Sequence, residues 1–326
     1  MKKIRLVLGI FILFLINFIL GVNAATTISF CGQDINSSGT YLLNQSITST
    51  STCLTTNSSN VEIDCAGNTI TYGTAGTANS IGIRALHATS SQVNLTIKNC
   101  ILIKTSTVGA GCNGIMLTRF TNSSIFNNTI TTNGVNGNKG IYILTGAAGN
   151  NISRNTIVTS GSSTTNYGIY LAPGTSDSLV EYNNVTTGKG TATTDNYGIR
   201  VDDPRANITS NIVYTFGSGD SNHGIYSYTS TSARIVNNIV YTSGTTGNNR
   251  GIFLSSSDSN YFVLFNSWNS GVIKYTVKST NPLEFFSKPR TTIITSAQVW
   301  NYKQNLSVDF DNTDFLNILK YSIYSN

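Results

Sequence analysis

A short asparagine word returns about every 28 residues along this chain and constrains its fold more than any other feature. Successive copies, starting at Phe126, read "FNNTI", "RNTIV", "YNNVT", "SNIVY", "NNIVY" and "FNSWN". A second word, glycine followed by isoleucine, lies 13 to 16 residues before most copies. Both words alternate polar with apolar residues, which is the period of a β-strand. A repeat of this length predicts a solenoid of short strands, each pairing in parallel with its counterpart in the next coil.

The glycine word supports strands throughout the repeat region. Its glycines are Gly82, Gly114, Gly140, Gly168, Gly198, Gly224 and Gly251. The first and third residues after most of them are apolar, and no segment beyond residue 24 has the 3.6-residue period of a helix. Helical solenoids are therefore excluded, and the leucine spacing of leucine-rich repeats is absent.

Two columns of asparagine are predicted to lie at the turns of this solenoid. The first contains Asn128, Asn155, Asn184, Asn211, Asn238 and Asn266. The second lies two residues before the glycines and contains Asn138, Asn166, Asn196, Asn222 and Asn249. Asparagine tolerates the left-handed backbone conformation that tight turns require. Its amides, stacked coil on coil, can also bond to one another as a ladder.

The chain resembles the right-handed parallel β-helix repeat proteins of the pectin-lyase-like superfamily. "VEIDCAGNTI" at Val61, "LTIKNCILI" at Leu95 and the alternation of the two words carry the likeness, over about residues 61 to 272. Among these proteins it is most similar to the NosD-like branch and to archaeal surface β-helices. The resemblance implies an all-β, single-stranded, right-handed parallel β-helix of about 8 to 10 coils with N- and C-terminal caps. It implies little about function, because this fold supports lyases, hydrolases, adhesins and structural modules.

The chain divides into four predicted segments. Residues 1–24 read as a secretory signal, with Lys2, Lys3 and Arg5 before an apolar run; an uncleaved membrane anchor is the alternative. Residues 25–60 are an N-terminal cap with the first coil, 61–272 are the β-helix repeats, and 273–326 are a C-terminal cap. Both readings of the first segment predict a secreted or cell-surface protein.

Cysteine usage and charge fit this location. The five cysteines lie in the first third of the chain, and disulfides are the expected state outside the cytoplasm. We expect Cys31 to pair with Cys53, whereas Cys65 and Cys100 either pair or fill the core. The net charge of +6 is too small and too scattered to indicate nucleic-acid binding.

The residues two positions after the glycines are predicted to face outward. The last five of them, which we take as candidate carbohydrate-binding residues, are Tyr142, Tyr170, Arg200, Tyr226 and Phe253. A row of aromatic faces suits sugar rings, and an arginine suits a carboxylate or sulfate. Stacked aromatic side chains also stabilise parallel sheets without a ligand, so both interpretations stand. A neighbouring column contains Lys139, Tyr167, Tyr197, His223 and Arg250, and its orientation does not follow from the sequence.

Catalytic and metal-binding candidates are few. Asp202 and Asp203 in "RVDDPR" resemble the aspartate pair of polygalacturonase-type hydrolases, but the other motifs of those enzymes are missing. A solvated turn with local ion pairs is the simpler expectation for this segment. Asp195 and Asp220 lie beside the second asparagine column, where carboxylate and amide oxygens suit calcium. No other cofactor or metal site is predicted.

Sequons for N-glycosylation are abundant, although a chain this rich in Asn, Ser and Thr also generates them by chance; we expect some but not all of them to be used if the host glycosylates. They begin at Asn36, Asn44, Asn57, Asn94, Asn122, Asn127, Asn151, Asn184, Asn207 and Asn305.

Three functions remain open from the sequence. The first is an exported, non-catalytic β-helix that recognises a polysaccharide or glycan, or has an envelope or adhesion role. The second is a polysaccharide lyase or glycoside hydrolase acting along a groove. The third is a structural spacer.

Overall fold

A computed structural model describes residues 24–188, 194–244, 249–255, 261–263 and 276–277. Every regular element in this part of the chain is a β-strand, and nearly all strands belong to three parallel sheets, A, B and C. Sheet A contains Thr26–Ile28, Gly39–Leu43, Val61–Asp64, Leu95–Lys98, Ser124–Phe126, Asn151–Ser153, Leu179–Glu181, Asn207–Thr209, Arg234–Val236 and Tyr261–Val263. Sheet B contains Asp34–Ile35, Leu54–Thr56, Ile81–Leu86, Asn113–Thr118, Lys139–Leu144, Tyr167–Leu171, Tyr197–Val201, Ile225–Tyr228, Ile252–Ser255 and Thr276–Val277. Sheet C contains Ile47–Thr48, Thr69–Tyr72, Ile101–Lys104, Thr129–Thr132, Thr156–Thr159, Asn184–Thr187, Ile212–Gly217 and Ile239–Gly244. Gln92–Val93 and Phe120–Thr121 form a fourth, two-stranded sheet.

From Gly39 to Ser255, each coil passes through sheet A, then sheet C, then sheet B, and the next coil repeats the path in register. Ile130 in one coil thus pairs with Ile157 in the next. The predicted all-β, right-handed parallel β-helix is confirmed, with about seven regular turns where 8 to 10 coils were expected.

The interior is filled by columns of aliphatic side chains with the same position in each coil. Ile97, Ile125 and Ile152 on sheet A are fully buried, as are Ile130 and Ile157 on sheet C. Each of these side chains stacks on the equivalent side chain of the coils above and below, so the apolar surface of every inner coil is removed from water. This burial is the main source of stability in a solenoid.

The glycine word is explained by close packing between sheets B and C. A Cβ atom built on Gly168 collides with the side chain of Val185 and lies 2.6 Å from the carbonyl oxygen of Gly198. Gly198 repeats the arrangement against Val213 in the next coil. The glycine column therefore allows the backbone of sheet B to approach sheet C.

The first asparagine column is a buried ladder, but one of its predicted members is wrong. Asn183, not Asn184, lies in the column: its amide accepts from Asn155 and donates to Asn211, both at 2.9 Å. The neighbouring Asn184 is exposed at the start of a sheet C strand. Asn128 and Asn238 continue the ladder at either end at 2.9 Å, and Asn266 lies outside the described residues.

Of the two reasons expected for these asparagines, the amide ladder is confirmed and the left-handed backbone is wrong. The left-handed residue at this corner is the one before each ladder asparagine; Arg154, Tyr182 and Ser210 all have φ between 55° and 57°. The ladder asparagine is selected for its amide, which bonds the next amide and a backbone carbonyl such as that of Ile152.

The second asparagine column forms the same kind of ladder at the corner between sheets C and B. Asn138 donates to Asn166 at 2.8 Å, Asn166 to Asn196 at 3.2 Å, and Asn196 to Asn222 at 2.8 Å. The backbone N–H of Asn222 donates to the amide oxygen of Asn249. The three sheets form the sides of a prism, and two of its corners, between sheets A and C and between sheets C and B, are thus fixed by buried amides.

Two disulfides fix the N-terminal coils. Cys31 is bonded to Cys53, the pair expected from the sequence, and Cys65 is bonded to Cys100, which resolves the alternative left open there. Cys112 is free and buried. A search of the described residues for a helix long and apolar enough to span a bilayer finds none. The predicted signal up to residue 23 and nearly all of the predicted C-terminal cap lie outside the described part.

Candidate functional site

The outer face of sheet B carries two adjacent columns of aromatic and cationic side chains, together named the aromatic strip. The first column is Tyr142, Tyr170, Arg200, Tyr226 and Phe253, which all face outward and are half-exposed. The second column is Lys139, Tyr167, Tyr197, His223 and Arg250. Both columns face the same side because the alternation of the strand is interrupted at the glycine: the register partners skip from Lys139 to Ile141, and the Lys139 amine lies 5.2 Å from the Tyr142 ring centroid.

Side chains of the first column stack on one another along the solenoid axis. Tyr142 and Tyr170 stack with centroids 5.1 Å apart and planes 8° from parallel, and Tyr226 and Phe253 do so at 5.1 Å and 6°. The Arg200 guanidinium carbon lies 4.9 Å from the Tyr170 ring centroid and 5.8 Å from that of Tyr226. The column is therefore a continuous stack with a cation at its centre.

The second column is stacked in the same way and is more deeply buried. Tyr197 lies 4.9 Å from Tyr167 and 5.4 Å from His223, with planes 14° and 3° from parallel. The amine of Lys139 lies 5.6 Å from the Tyr167 ring at one end. At the other end, the guanidinium of Arg250 lies over an aromatic ring of the first column. The two columns thus support each other across the strip.

Arg200 is paired within the protein. Its Nη2 lies 3.0 Å from Oδ2 of Asp202, its Nε donates to both oxygens of that carboxylate, and Tyr170 donates to Oδ2 at 3.0 Å. Burial alone would lower the pKa of Arg200, but the hydrogen bond and charge of Asp202 raise it above its ordinary value. The guanidinium charge is thus largely neutralised before any ligand arrives.

Burial changes the titration of two side chains in the second column. It lowers the pKa of His223 to about 3, with help from the charge of Arg250, so the imidazole is neutral at physiological pH. Its Nδ1 accepts a hydrogen bond from the backbone N–H of Arg250. Burial and the charge of Arg200 lower the pKa of Lys139 to about 8. The strip is therefore less positive than its sequence indicates.

Asp202 and Asp203 do not form a solvated turn, contrary to the sequence-based expectation. They are 4% and 0% exposed. No group of the described residues lies in good hydrogen-bonding geometry to either carboxylate oxygen of Asp203, although Ser178 and Thr175 are close enough to interact with it. Burial raises its pKa to about 6, and nearby Ser178 and Thr175 offset this only in part. The pair therefore lacks the two accessible, cooperating carboxylates that glycoside hydrolysis requires.

The predicted calcium residues Asp195 and Asp220 lie in adjacent coils, but no third acidic side chain of the described residues joins them. Asp195 accepts from the hydroxyl of Tyr197 at 3.2 Å, and its backbone N–H bonds the carbonyl of Asp220. Within the described ranges, no three acidic, histidine or cysteine side chains come together in a way that could hold a metal ion.

The stacking limits what the strip can offer a ligand. Ring faces inside the columns are occupied by neighbouring rings, so a molecule lying along the strip meets ring edges and phenol hydroxyls. Tyr228, 38% exposed and 5.8 Å from Tyr226, extends this surface. Sequence reasoning missed Tyr228, although it lies two residues after Tyr226 and so on the same side of the strand. Asp202 likewise lies two residues after Arg200, so the same rule places the two side chains on one side of the chain.

Comparisons with solved structures find other β-helices at low identity. Geobacillus virus E2 ORF18 matches with a TM-score of 0.41 and 13% identity, covering 80% of this chain and 56% of that one. The A-module of Azotobacter vinelandii mannuronan C-5 epimerase matches at 0.39 and 10%, covering 78% and 80%. The Streptococcus pneumoniae surface protein and adhesin PfbA matches at 0.28 and 12%, covering 78% and 88%.

No curated protein sequence matches this chain. A family model described as "Right handed beta helix region" matches residues 84–267, more than half of the chain. This match spans the coils that carry the aromatic strip and both asparagine ladders. The chain belongs to the right-handed β-helix family.

Proposed function

We propose that this protein is an exported β-helix that binds a glycan along the aromatic strip without cleaving it. The observation that carries the proposal is the half-exposed first column, which presents three tyrosines, one arginine and one phenylalanine over five successive coils. At about 4.8 Å per coil, this surface is about 20 Å long, the scale of a short oligosaccharide. Two disulfides fit an oxidising compartment outside the cytoplasm.

Rigidity favours recognition by this surface. Each ring is held by its neighbours, and Tyr170 is further fixed by Asp202. A pre-ordered surface loses little side-chain entropy when a ligand binds. Sugar hydroxyls would bond to the phenol oxygens, and sugar C–H groups would contact the ring edges.

The non-catalytic part of the proposal rests on the carboxylates. Asp202 is engaged by Arg200 and Tyr170, and Asp203 is sealed from solvent. A general acid must reach the glycosidic oxygen, and neither side chain is free to do so.

A structural role is the second candidate, and the mutual stacking favours it. The rings of each column stabilise adjacent coils whether or not a ligand is present. This role predicts that the strip contributes to stability only.

Hydroxyl removal separates the candidates because it leaves the stacks intact. The parent and a Tyr142→Phe/Tyr226→Phe variant are applied to an array of neutral and acidic oligosaccharides, and retained glycans are titrated by calorimetry. Loss of two hydrogen bonds, at about 1 kcal/mol each, predicts binding at least about tenfold weaker. Tyr214→Phe is the matched control, because Tyr214 stacks on Tyr241 at 4.9 Å and 6° on sheet C.

Each outcome selects one candidate. Weaker binding by the double variant, with the control unchanged, supports recognition by the strip. Absence of any retained glycan supports the structural role. Release of shorter sugars from a retained polysaccharide would overturn the non-catalytic proposal.

A further inference from the structure

Most sequon asparagines in the described residues are surface side chains. Exposed examples are Asn36, Asn44, Asn57, Asn94, Asn122, Asn127 and Asn184; Asn151 and Asn207 are half-buried. None of them belongs to a buried ladder. Asn127 and Asn184 are instead the exposed neighbours of the ladder residues Asn128 and Asn183.

Their positions are unequal around the prism. Asn151 and Asn207 lie on sheet A. Six others lie at the two corners that border sheet A: Asn36, Asn44, Asn57, Asn94, Asn122 and Asn127. Among the sequons of the described residues, Asn184 alone lies on sheet C. In the described part of the chain, sheet B and the loops that enter it from sheet C contain none.

Packing explains why the corner at which the chain enters sheet B from sheet C lacks sequons in the described residues. Each asparagine of the second ladder, such as Asn166, is followed two residues later by a glycine of the close-packed column. Serine or threonine at Gly168 would place a Cβ atom against Val185 and 2.6 Å from the carbonyl oxygen of Gly198. A sequon there would disrupt the contact between sheets B and C.

The corner asparagines can be modified without losing their own contacts. Nδ2 of Asn127 donates to Oδ1 of Asn99 at 2.7 Å, and Nδ2 of Asn94 donates to Oδ1 of Asn60 at 2.9 Å. A carboxamide nitrogen has two hydrogens, and only one is used in each of these bonds. The other hydrogen is available for replacement by a sugar.

We propose that sheet A and its bordering corners form the N-glycosylated side of this solenoid, and that sheet B stays bare. The donor is an oligosaccharide on a polyprenyl diphosphate. The bond between its first sugar C1 and the diphosphate oxygen breaks, a bond from C1 to Nδ2 forms, and Nδ2 loses one proton. Asn94 and Asn122 occupy adjacent coils about 4.8 Å apart, so glycans on the two exclude one another. Each molecule carries a glycan on one of the two asparagines, and a population of molecules can therefore show label at both.

The test uses the full chain with its own N-terminal segment, secreted from a glycosylating host. Peptide-N-glycosidase in heavy-oxygen water converts each occupied asparagine to labelled aspartate, which peptide mass mapping locates. We expect label at Asn127, at Asn207 and at one or both of Asn94 and Asn122. A secreted chain with no label on the sheet A side would overturn the proposal.

Thr129→Ala gives a matched test of one site. It removes the sequon of Asn127 and keeps the asparagine and its contact with Asn99. Thr156→Ala is the control, because Thr156 is the register partner of Thr129 and belongs to no sequon. The glycan at Asn127 should be lost in the first variant and kept in the second; equal labelling in both would contradict the assignment. Mass mapping needs no ligand, so its failure is separate from failure of glycan binding at the strip.

Discussion

Replacing Asn183 by alanine tests the buried ladder at its centre. The Asn183 amide donates to Asn211 and to the carbonyl of Ile152, and it accepts from both the side chain and the backbone N–H of Asn155, all at 2.9 Å. Alanine leaves the buried N–H of Asn155 and the carbonyl of Ile152 short of partners. At about 1 to 3 kcal/mol for each unpaired buried group, we expect a loss of about 3 to 5 kcal/mol.

Urea unfolding followed by far-ultraviolet circular dichroism measures this loss. Solenoids can unfold in parts, so the free energies of unfolding are compared only if parent and variant have the same m-value, the slope of that free energy against urea concentration. Asn184→Ala, made in a host that does not glycosylate, is the matched control, because Asn184 is adjacent but exposed. It should change stability by less than about 0.5 kcal/mol. Equal losses from both changes would refute the assignment of Asn183 to the ladder.

Three further predictions concern buried groups. Asp203→Asn should stabilise the protein by up to about 3 kcal/mol at pH 8. Burial raises the pKa of Asp203 to about 6, so the stability that protonated Asp203 contributes in full below about pH 4 is lost as the pH rises through 6. An equal gain at pH 4, measured by thermal melting, would contradict this. His223 has a lowered pKa, about 3, so the parent should lose up to about 5 kcal/mol as pH falls from 6.5 to 3. His223→Phe should abolish this part of the acid sensitivity, and a variant as acid-sensitive as the parent would argue against a neutral, buried imidazole. Gly168→Ala should destabilise by several kcal/mol because its Cβ collides with Val185, and a melting temperature within about 1 °C of the parent would refute the packing role of the glycine column.

The recurring words were sufficient to predict the architecture, because a solenoid repeats the same physical environment in every coil. The ladder position was also readable in principle. In "NTI", "NNV" and "NIV", the ladder asparagine stands two residues before the buried β-branched residue, which selects Asn183 over Asn184. The doubled asparagine in "YNNVT" makes the two positions look equivalent unless the buried residue is used as the reference.

Other features of the site depend on geometry that one coil does not reveal. The loops from sheet B to sheet A differ in length from coil to coil, so the burial of Asp203 could not be inferred. The orientation of Lys139 and Tyr167 depends on the interruption of strand pairing at the glycine, which breaks the period of two. Mutual stacking of Tyr142 and Tyr170 follows from their register, but its consequence for ligand access is visible only with the side chains in place.

Cysteine cross-linking tests the coil-on-coil register most directly. Thr156 and Asn184 are register partners on the outer face of sheet C, so their Cα atoms lie about 4.8 Å apart, within disulfide range. Thr156→Cys with Asn184→Cys should therefore form a disulfide on mild oxidation, detected by non-reducing peptide mapping. Thr156→Cys with Thr186→Cys, offset by two residues to about 8 Å, should not. A link in the offset pair, or none in the register pair, would contradict the stacked coils on which both the aromatic strip and the ladders depend.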